Sequence, residues 1–212
     1  MYKGEGSLSL SISTNHIQMS ITLSCTTQLD AVNVCLEAIG EQPVNVIPTS
    51  GVSEATVANA VVKRISREVQ NTGLHCNSEE DYPFMADIDG NVVIPQNVLH
   101  IDPTDNQLDY VVRGNRLYDR SNHTFKITTS YVKCDVVWLL PFEDLPEHAR
   151  HYIAVVAART FQRDFLGSTN LNAISREDEL RARLNFMRNE DRTDDKTFLD
   201  GHPVNNILNR VV

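Results

Sequence analysis

The segment VKCDVVWLLPFEDLPEHARHYIAVVAARTFQRDFLG, residues 132–167, decides the fold. Within it, Val136 to Leu140 is a continuous apolar run of strand length, rich in β-branched and aromatic residues, as a buried strand requires. Pro141 stops that run. Asp144 and Glu147 have capping-box spacing, in which a side chain at each end of the first turn accepts from an orphan backbone N–H. Pro146 falls in that turn, where a missing N–H costs nothing. Ala149, Ile153, Val156, Ala157, Thr160, Phe161 and Phe165 then recur at helical spacing, and Gly167 can close the helix with positive φ. The reading is a strand, a short turn and a long helix, with no chemistry of its own.

Upstream of this segment, from about His75, the period is alternating and turn signals are frequent. Strands are expected at Tyr82–Ala86, Asn91–Ile94, Val98–Ile101, Tyr110–Arg113, Arg116–Asp119, Phe125–Thr128 and Val136–Leu140. Asp89-Gly90 and Gly114-Asn115 suit two-residue hairpin turns, which call for positive φ. Further upstream the period is helical. A first helix is expected over about Gln28–Ile39, started by Thr27 with Asp30 and stopped by Gly40. Its apolar face is Leu29, Val32, Leu36 and Ile39. A second helix follows Ser53, lined by Val57, Ala58, Val61, Ile65 and Val69, and ends at Gly73. Downstream, Ser175 can cap a fourth helix with Leu180, Leu184 and Met187 as its apolar stripe.

The expected class is α+β: a bundle of four helices with an antiparallel β-rich insertion between helices 2 and 3. Residues 27–74 and 141–190 would form the bundle and 75–140 the insertion. Residues 1–26 alternate Leu8, Leu10 and Ile12, then Ile21 and Leu23, with Ser and Thr. They read as an extended arm that pairs with something, or as a poorly ordered tail. Met19 could also begin the domain. Residues 191–212 read as a polar tether ending in Val204, Ile207, Leu208, Val211 and Val212, a docking tail.

The chain has 212 residues and a net charge of −9, from 28 acids against 19 bases. That balance argues against gripping nucleic acid, which needs a basic surface, but suits a wall that phosphates slide past. No apolar run approaches the ~20 residues a membrane span needs, and no signal peptide is evident. The four cysteines, Cys25, Cys35, Cys76 and Cys134, form no C-x-x-C pair and read as reduced thiols packed as small hydrophobes.

The chain carries none of the common catalytic motifs: no glycine-rich phosphate loop, G-x-S-x-G or H-E-x-x-H. Asp87-Ile88-Asp89-Gly90-Asn91 has the flavour of a calcium loop, but its glycine is out of register and a hairpin turn fits better. His148 and His151 could share a helix face, for which solvent exposure is the simpler reading. Arg113, Arg116 and Arg120 alternate with Tyr110 and Tyr118, as on a nucleic-acid surface. Asp109 and Asp119 would neutralise part of that charge, so an ion-paired sheet face is expected.

Several longer runs stand in a distinctive order. They are Leu36–Val44 (LEAIGEQPV), Ser66–Gln70 (SREVQ) and Val111–Gly114 (VVRG), followed by Arg116–Arg120 (RLYDR) and Asn122–Thr124 (NHT). Leu139–Pro146 (LLPFEDLP), Tyr152–Ala154 and Ala157–Arg159 complete the series. Together they resemble the tail tubular protein A family, the head-to-tail adaptors of short-tailed, podovirus-type bacteriophages. The resemblance covers roughly residues 28–190 and leaves out both ends.

The resemblance implies a structural, non-enzymatic protein of the virion, made in the host cytoplasm, with no cofactor, metal or membrane. About twelve identical copies would close a ring by one repeated contact. The ring would sit between the portal protein and a nozzle protein of the tail tubular protein B type, and DNA would pass through its lumen without specific binding. Leu180, Leu184, Met187, Ile207, Leu208 and Val211 are the candidate portal-docking residues. Arg113, Arg116, Tyr118 and Arg120 are candidates for a subunit or nozzle contact. The alternative is a tail enzyme cleaving bacterial surface or cell-wall glycan, with two carboxylates drawn from Glu79, Glu80, Asp81, Asp87 and Asp89.

Overall fold

The computed structural model describes residues 27–48, 51, 53–105, 107–166 and 176–193. Helix α1 spans Gln28–Ala38. Its capping box forms as expected: Thr27 Oγ1 accepts from the Asp30 N–H at 3.2 Å and the Asp30 carboxylate accepts from the Thr27 N–H at 2.9 Å. At the other end Gly40 takes φ 82°. The Gly40 N–H then reaches the Glu37 carbonyl and the Glu41 N–H the Leu36 carbonyl, each at 3.0 Å, which is a Schellman closure.

Helix α2 spans Glu54–Gln70 with Ser53 as N-cap. It buries Ala58, Val61, Val62, Ile65 and Val69. Val57, expected on that face, is 43% exposed, because Val62 takes the inward place in the i, i+3, i+4 pattern.

Five strands follow: β1 (Ser78–Met85), β2 (Val98–Pro103), β3 (Tyr110–Arg113), β4 (Arg116–Asp119) and β5 (Tyr131–Trp138). An antiparallel sheet has the order β1-β5-β2, and β3 pairs with β4 in a separate hairpin. The hairpin turns at Gly114, whose φ is 66°.

Two expected strands are absent. Asn91–Ile94 makes only isolated bridges, Ala86 with Val92 and Val93 with Arg116, and Phe125–Thr128 makes none, the nearby bridge being Asp119 with Thr124. Their backbone groups are shared among several neighbours instead of one ladder. The Leu117 N–H meets the Val92 carbonyl at 3.0 Å, and the Ile127 N–H meets the Gly90 carbonyl at 2.8 Å. Their apolar side chains Val92, Ile94 and Ile127 are buried nonetheless.

Strand β5 also differs from its expected form. It starts earlier, at Tyr131, and alternates: Val132, Cys134 and Val136 point inward while Tyr131, Lys133 and Asp135 face out. Only one face of the sheet is covered, so the apolar run is not buried on both sides. Leu139 and Leu140 leave the strand, and their N–H groups go to the Asn97 carbonyl at 2.6 Å and Gln70 Oε1 at 2.7 Å.

The capping box expected at Asp144 does not form. Phe142–Asp144 is a 3₁₀ turn, closed by the Asp144 N–H on the Pro141 carbonyl at 3.1 Å. The Pro146 carbonyl accepts from Ala149 and Arg150, both at 3.0 Å, so Pro146 stands at the helix entrance rather than inside it. The turn drives Phe142 and Leu145 into the core. Helix α3 then runs Glu147–Leu166 and buries Ala149, Ile153, Ala154, Ala157, Ala158 and Phe161. Its alanines let α1 and α2 approach closely. Phe165, expected inward, is half exposed, and Gly167 lies outside the described residues.

Helix α4 spans Arg176–Thr193 and packs on α3. Its expected cap, Ser175, lies outside the described residues. No described helix is long and apolar enough to cross a membrane.

The fold has two apolar cores, one among the helices and one inside the β unit. They meet at two buried amides. Gln70 Oε1 accepts from the Leu140 N–H, and its Nε2 donates to the Leu140 carbonyl at 3.1 Å and to Ser66 Oγ at 3.0 Å. Asn77 Oδ1 accepts from the Leu74 N–H at 2.7 Å. Its Nδ2 donates to the carbonyls of Gln70 at 3.1 Å and Trp138 at 2.7 Å. Both amides are fixed because a buried polar group without a partner would be costly.

Candidate interaction surfaces

Helix α4 has two apolar sides. The inner one carries Ala182, 3% exposed, and Phe186, which stacks on Tyr152 with ring centroids 5.0 Å apart. His148 reaches α4 from α3, with Nε2 2.6 Å from Glu190 Oε1. The other Glu190 oxygen accepts from the His75 N–H at 3.0 Å. Arg159 pairs with Glu179 nearby. This docks α4 firmly and leaves its other side free. Leu180, Leu184 and Met187 lie there, 55%, 53% and 47% exposed. The expected stripe therefore exists, but it faces away from the bundle. Their candidate companions Ile207, Leu208 and Val211 lie outside the described residues.

The hairpin of β3 and β4 forms the second surface. The Arg113 guanidinium lies over the Tyr118 ring, 3.7 Å from its centroid, and Arg116 over Phe125 at 4.4 Å. Tyr118 and Phe125 themselves meet edge to face at 4.9 Å. Arg116 also donates to Asn91 Oδ1 at 3.2 Å. Among the described residues, Arg120 is the one of the three arginines that pairs with an acid, Asp109 at 3.4 Å. The expected ion-paired face is thus only partly realised.

Asp119 explains why. It is 6% exposed and occupied by its own turn: Asn122 Nδ2 donates to Oδ2 at 2.8 Å and the Asn122 N–H to Oδ1 at 2.9 Å. These bonds, the Asn122 side chain first, hold its carboxyl below the usual range. Phe125 as the partner of Arg116 was not readable in the sequence, because it reaches the hairpin from beyond a turn. The basic and aromatic alternation marked only the arginines and Tyr118.

The other candidate groups do not converge. Glu79, Glu80 and Asp81 lie exposed on β1. Asp87 Oδ1 accepts from the N–H groups of Asp89 at 2.9 Å and Asn91 at 2.7 Å, which closes the turn before Gly90. Those bonds, the Asn91 N–H first, lower its pKa, the wrong direction for the proton donor a glycosidase needs. His148 is half-buried against Glu190, not on a solvated face. Among the described residues no three His, Cys, Asp or Glu side chains are placed to hold a metal ion. Cys35 and Cys134 are buried, and burial pushes the Cys134 thiol up to about 12. Cys76, expected inside, lies on the surface.

A two-core α+β subunit with a docked but half-bare helix and a stacked arginine hairpin has the build of an assembly component. The chain belongs to the tail tubular protein family, whose sequence profile matches residues 29–196. It is 36% identical over 155 residues to tail tubular protein A of Klebsiella phage KP34, a match covering 72% of this chain and 81% of that relative. It is accordingly a structural component of a bacteriophage tail.

Proposed function

We propose that this chain is the head-to-tail adaptor of its virion, closing as a ring of about twelve copies by one repeated contact. The ring joins the portal protein on one side to a nozzle protein of the tail tubular protein B type on the other. It makes and breaks no covalent bond. DNA crosses the lumen without specific binding, and the net charge of −9 suits a wall that phosphates do not stick to.

The observation that carries this reading, beside family membership, is the bare stripe Leu180, Leu184 and Met187 on a helix whose opposite side is already packed. Contiguous exposed apolar side chains on a docked helix fit a partner surface. The bundle, residues 27–74 with 141–190, then faces the portal, with residues 191–212 as its docking tail. The β insertion, residues 75–140, supplies contacts to neighbouring copies and the nozzle through Arg113, Arg116, Tyr118 and Arg120; the expected arm, residues 1–26, lies outside the described residues.

Mass measurement of the chain alone and with its portal protein tests the proposal. The wild type is expected to form a ring-sized complex on the portal. Leu184→Asp with Met187→Asp is expected to lose portal binding while its melting temperature stays close to wild type, since both sites are exposed. Truncation after Asp191 is expected to do the same. Undiminished portal binding by both variants would refute the assignment.

A further inference from the structure

We propose that the ring contact is electrostatic and joins unlike flanks: Arg113 and Arg116 of one copy seat against the acidic start of β1, Glu79 to Asp81, on the next copy. This deepens the ring reading above and rests on it.

The two guanidinium groups are the uncommon feature of an acidic chain. Stacking on Tyr118 and Phe125 covers one face of each planar group and fixes its direction. The Arg113 N–H edge stays available for a carboxylate, while Arg116, half-buried with one donor on Asn91 Oδ1, offers its remaining N–H groups. Arg113 is exposed and has no acidic partner among the described residues. A charge held in place by an aromatic ring has lost little further entropy when a partner arrives.

The acidic partner lies on the opposite flank of the same unit. The sheet order β1-β5-β2 makes β1 one edge, and the β3–β4 hairpin packs beside β2 at the other. Glu79, Glu80 and Asp81 are consecutive and exposed on that β1 edge. Lys133 is the nearest counter-charge to Asp81, at 3.9 Å. The strand is irregular here: its register with β5 shifts between Glu79 and Tyr82, and Asp81 takes φ 57°. Such a bulge blocks edge-to-edge strand pairing, so this flank offers side chains rather than a ladder. Unlike patches on opposite flanks give a head-to-tail contact, the kind that closes into a ring.

Charge reversal tests this. Arg113→Glu with Arg116→Glu is expected to abolish the closed oligomer on the portal, and so is Glu79→Lys with Glu80→Lys. Mixing the two double variants, or combining all four changes in one chain, is expected to restore closure, because complementary patches meet again. Restoration also shows that the variants fold. Wild-type closure should weaken as salt rises, since exposed charges are screened. Rings that still close with either patch reversed would overturn the inference and leave the adaptor reading standing. A wild-type chain that never closes on its portal would sink the adaptor reading itself. Retardation of a short DNA duplex that depends on Arg113 and Arg116 would assign the hairpin to phosphate instead and overturn the contact.

Discussion

Among the described residues the helical core contains 21 buried side chains, running from Ala31 to Phe161, whereas the β core contains eight, from Phe84 to Val136. The bundle is held by apolar mass and close helix approach. The β unit has less to bury and relies on turns closed by side chains, Asp87 with Asn91 and Asp119 with Asn122. Local polar closure of this kind fixes a small unit without covering its exterior. That leaves the exposed Arg113 stack and the half-buried Arg116 stack on a rigid hairpin, where a partner can use them. The bundle presents its contact differently, by placing a helix with two apolar sides at its rim.

The largest effects separate the two cores directly. Phe161, 1% exposed, fills the bundle, and Phe161→Ala is expected to cost about 4 kcal/mol through lost burial and a residual cavity. Leu117, also 1% exposed, has the same place in the β unit, where Leu117→Ala is expected to cost about 3 kcal/mol. Urea unfolding followed by helix circular dichroism and by the single tryptophan, Trp138, measures both. The two signals should move together in each variant, because Trp138 sits where the cores meet. Different midpoints for the two signals in either variant would show that the cores fold independently.

The features legible in the sequence were those set by short-range chemistry. Thr27 with Asp30, Gly40 and Ser53 place both ends of α1 and the start of α2 within a residue, and β3 and β4 have the expected bounds. Features that depend on distant contacts were not legible. Asp144 and Pro146 compete for the entrance to α3, and the burial of Phe142 and Leu145 decides it. On α4 the apolar stripe Leu180, Leu184 and Met187 was legible, but the Ala182 and Phe186 side that faces α3 was not, because periodicity shows an apolar side without saying what covers it. Asp119 looked like a counter-charge for arginine until its own turn claimed both oxygens.

A smaller effect probes the seam between the cores. Asn77, 2% exposed, satisfies the Leu74 N–H and the carbonyls of Gln70 and Trp138. Asn77→Leu keeps the branched shape and heavy-atom count of the side chain and strands those groups. The expected loss is about 2–4 kcal/mol, since each buried group left unpaired costs of order 1–3 kcal/mol. Its signature differs from that of the core variants. Trp138 fluorescence should now unfold before the helical signal, because the strap from α2 to β5 has been cut. Coincident transitions in Asn77→Leu would mean that apolar contact and the Gln70–Leu140 bonds suffice to couple the two cores.

The smallest effect depends on pH and belongs to the β unit. The folded state holds Asp119 below its ordinary pKa, chiefly through the Asn122 side chain. A depressed carboxylate stabilises the fold at pH above its unfolded value, about 4, and that contribution fades as pH falls through the folded value. Asn122→Ala removes the largest cause. The melting temperature of the variant should therefore lie below wild type at neutral pH, and the gap should narrow on acidification below about pH 4. Asp87 is lowered by its own turn in both proteins, so its contribution cancels in the difference. A gap that stays constant down to acid unfolding would show that Asn122 acts through turn geometry alone. The contrast between a β unit fixed by charged turns and a bundle fixed by apolar mass would then lose its electrostatic half.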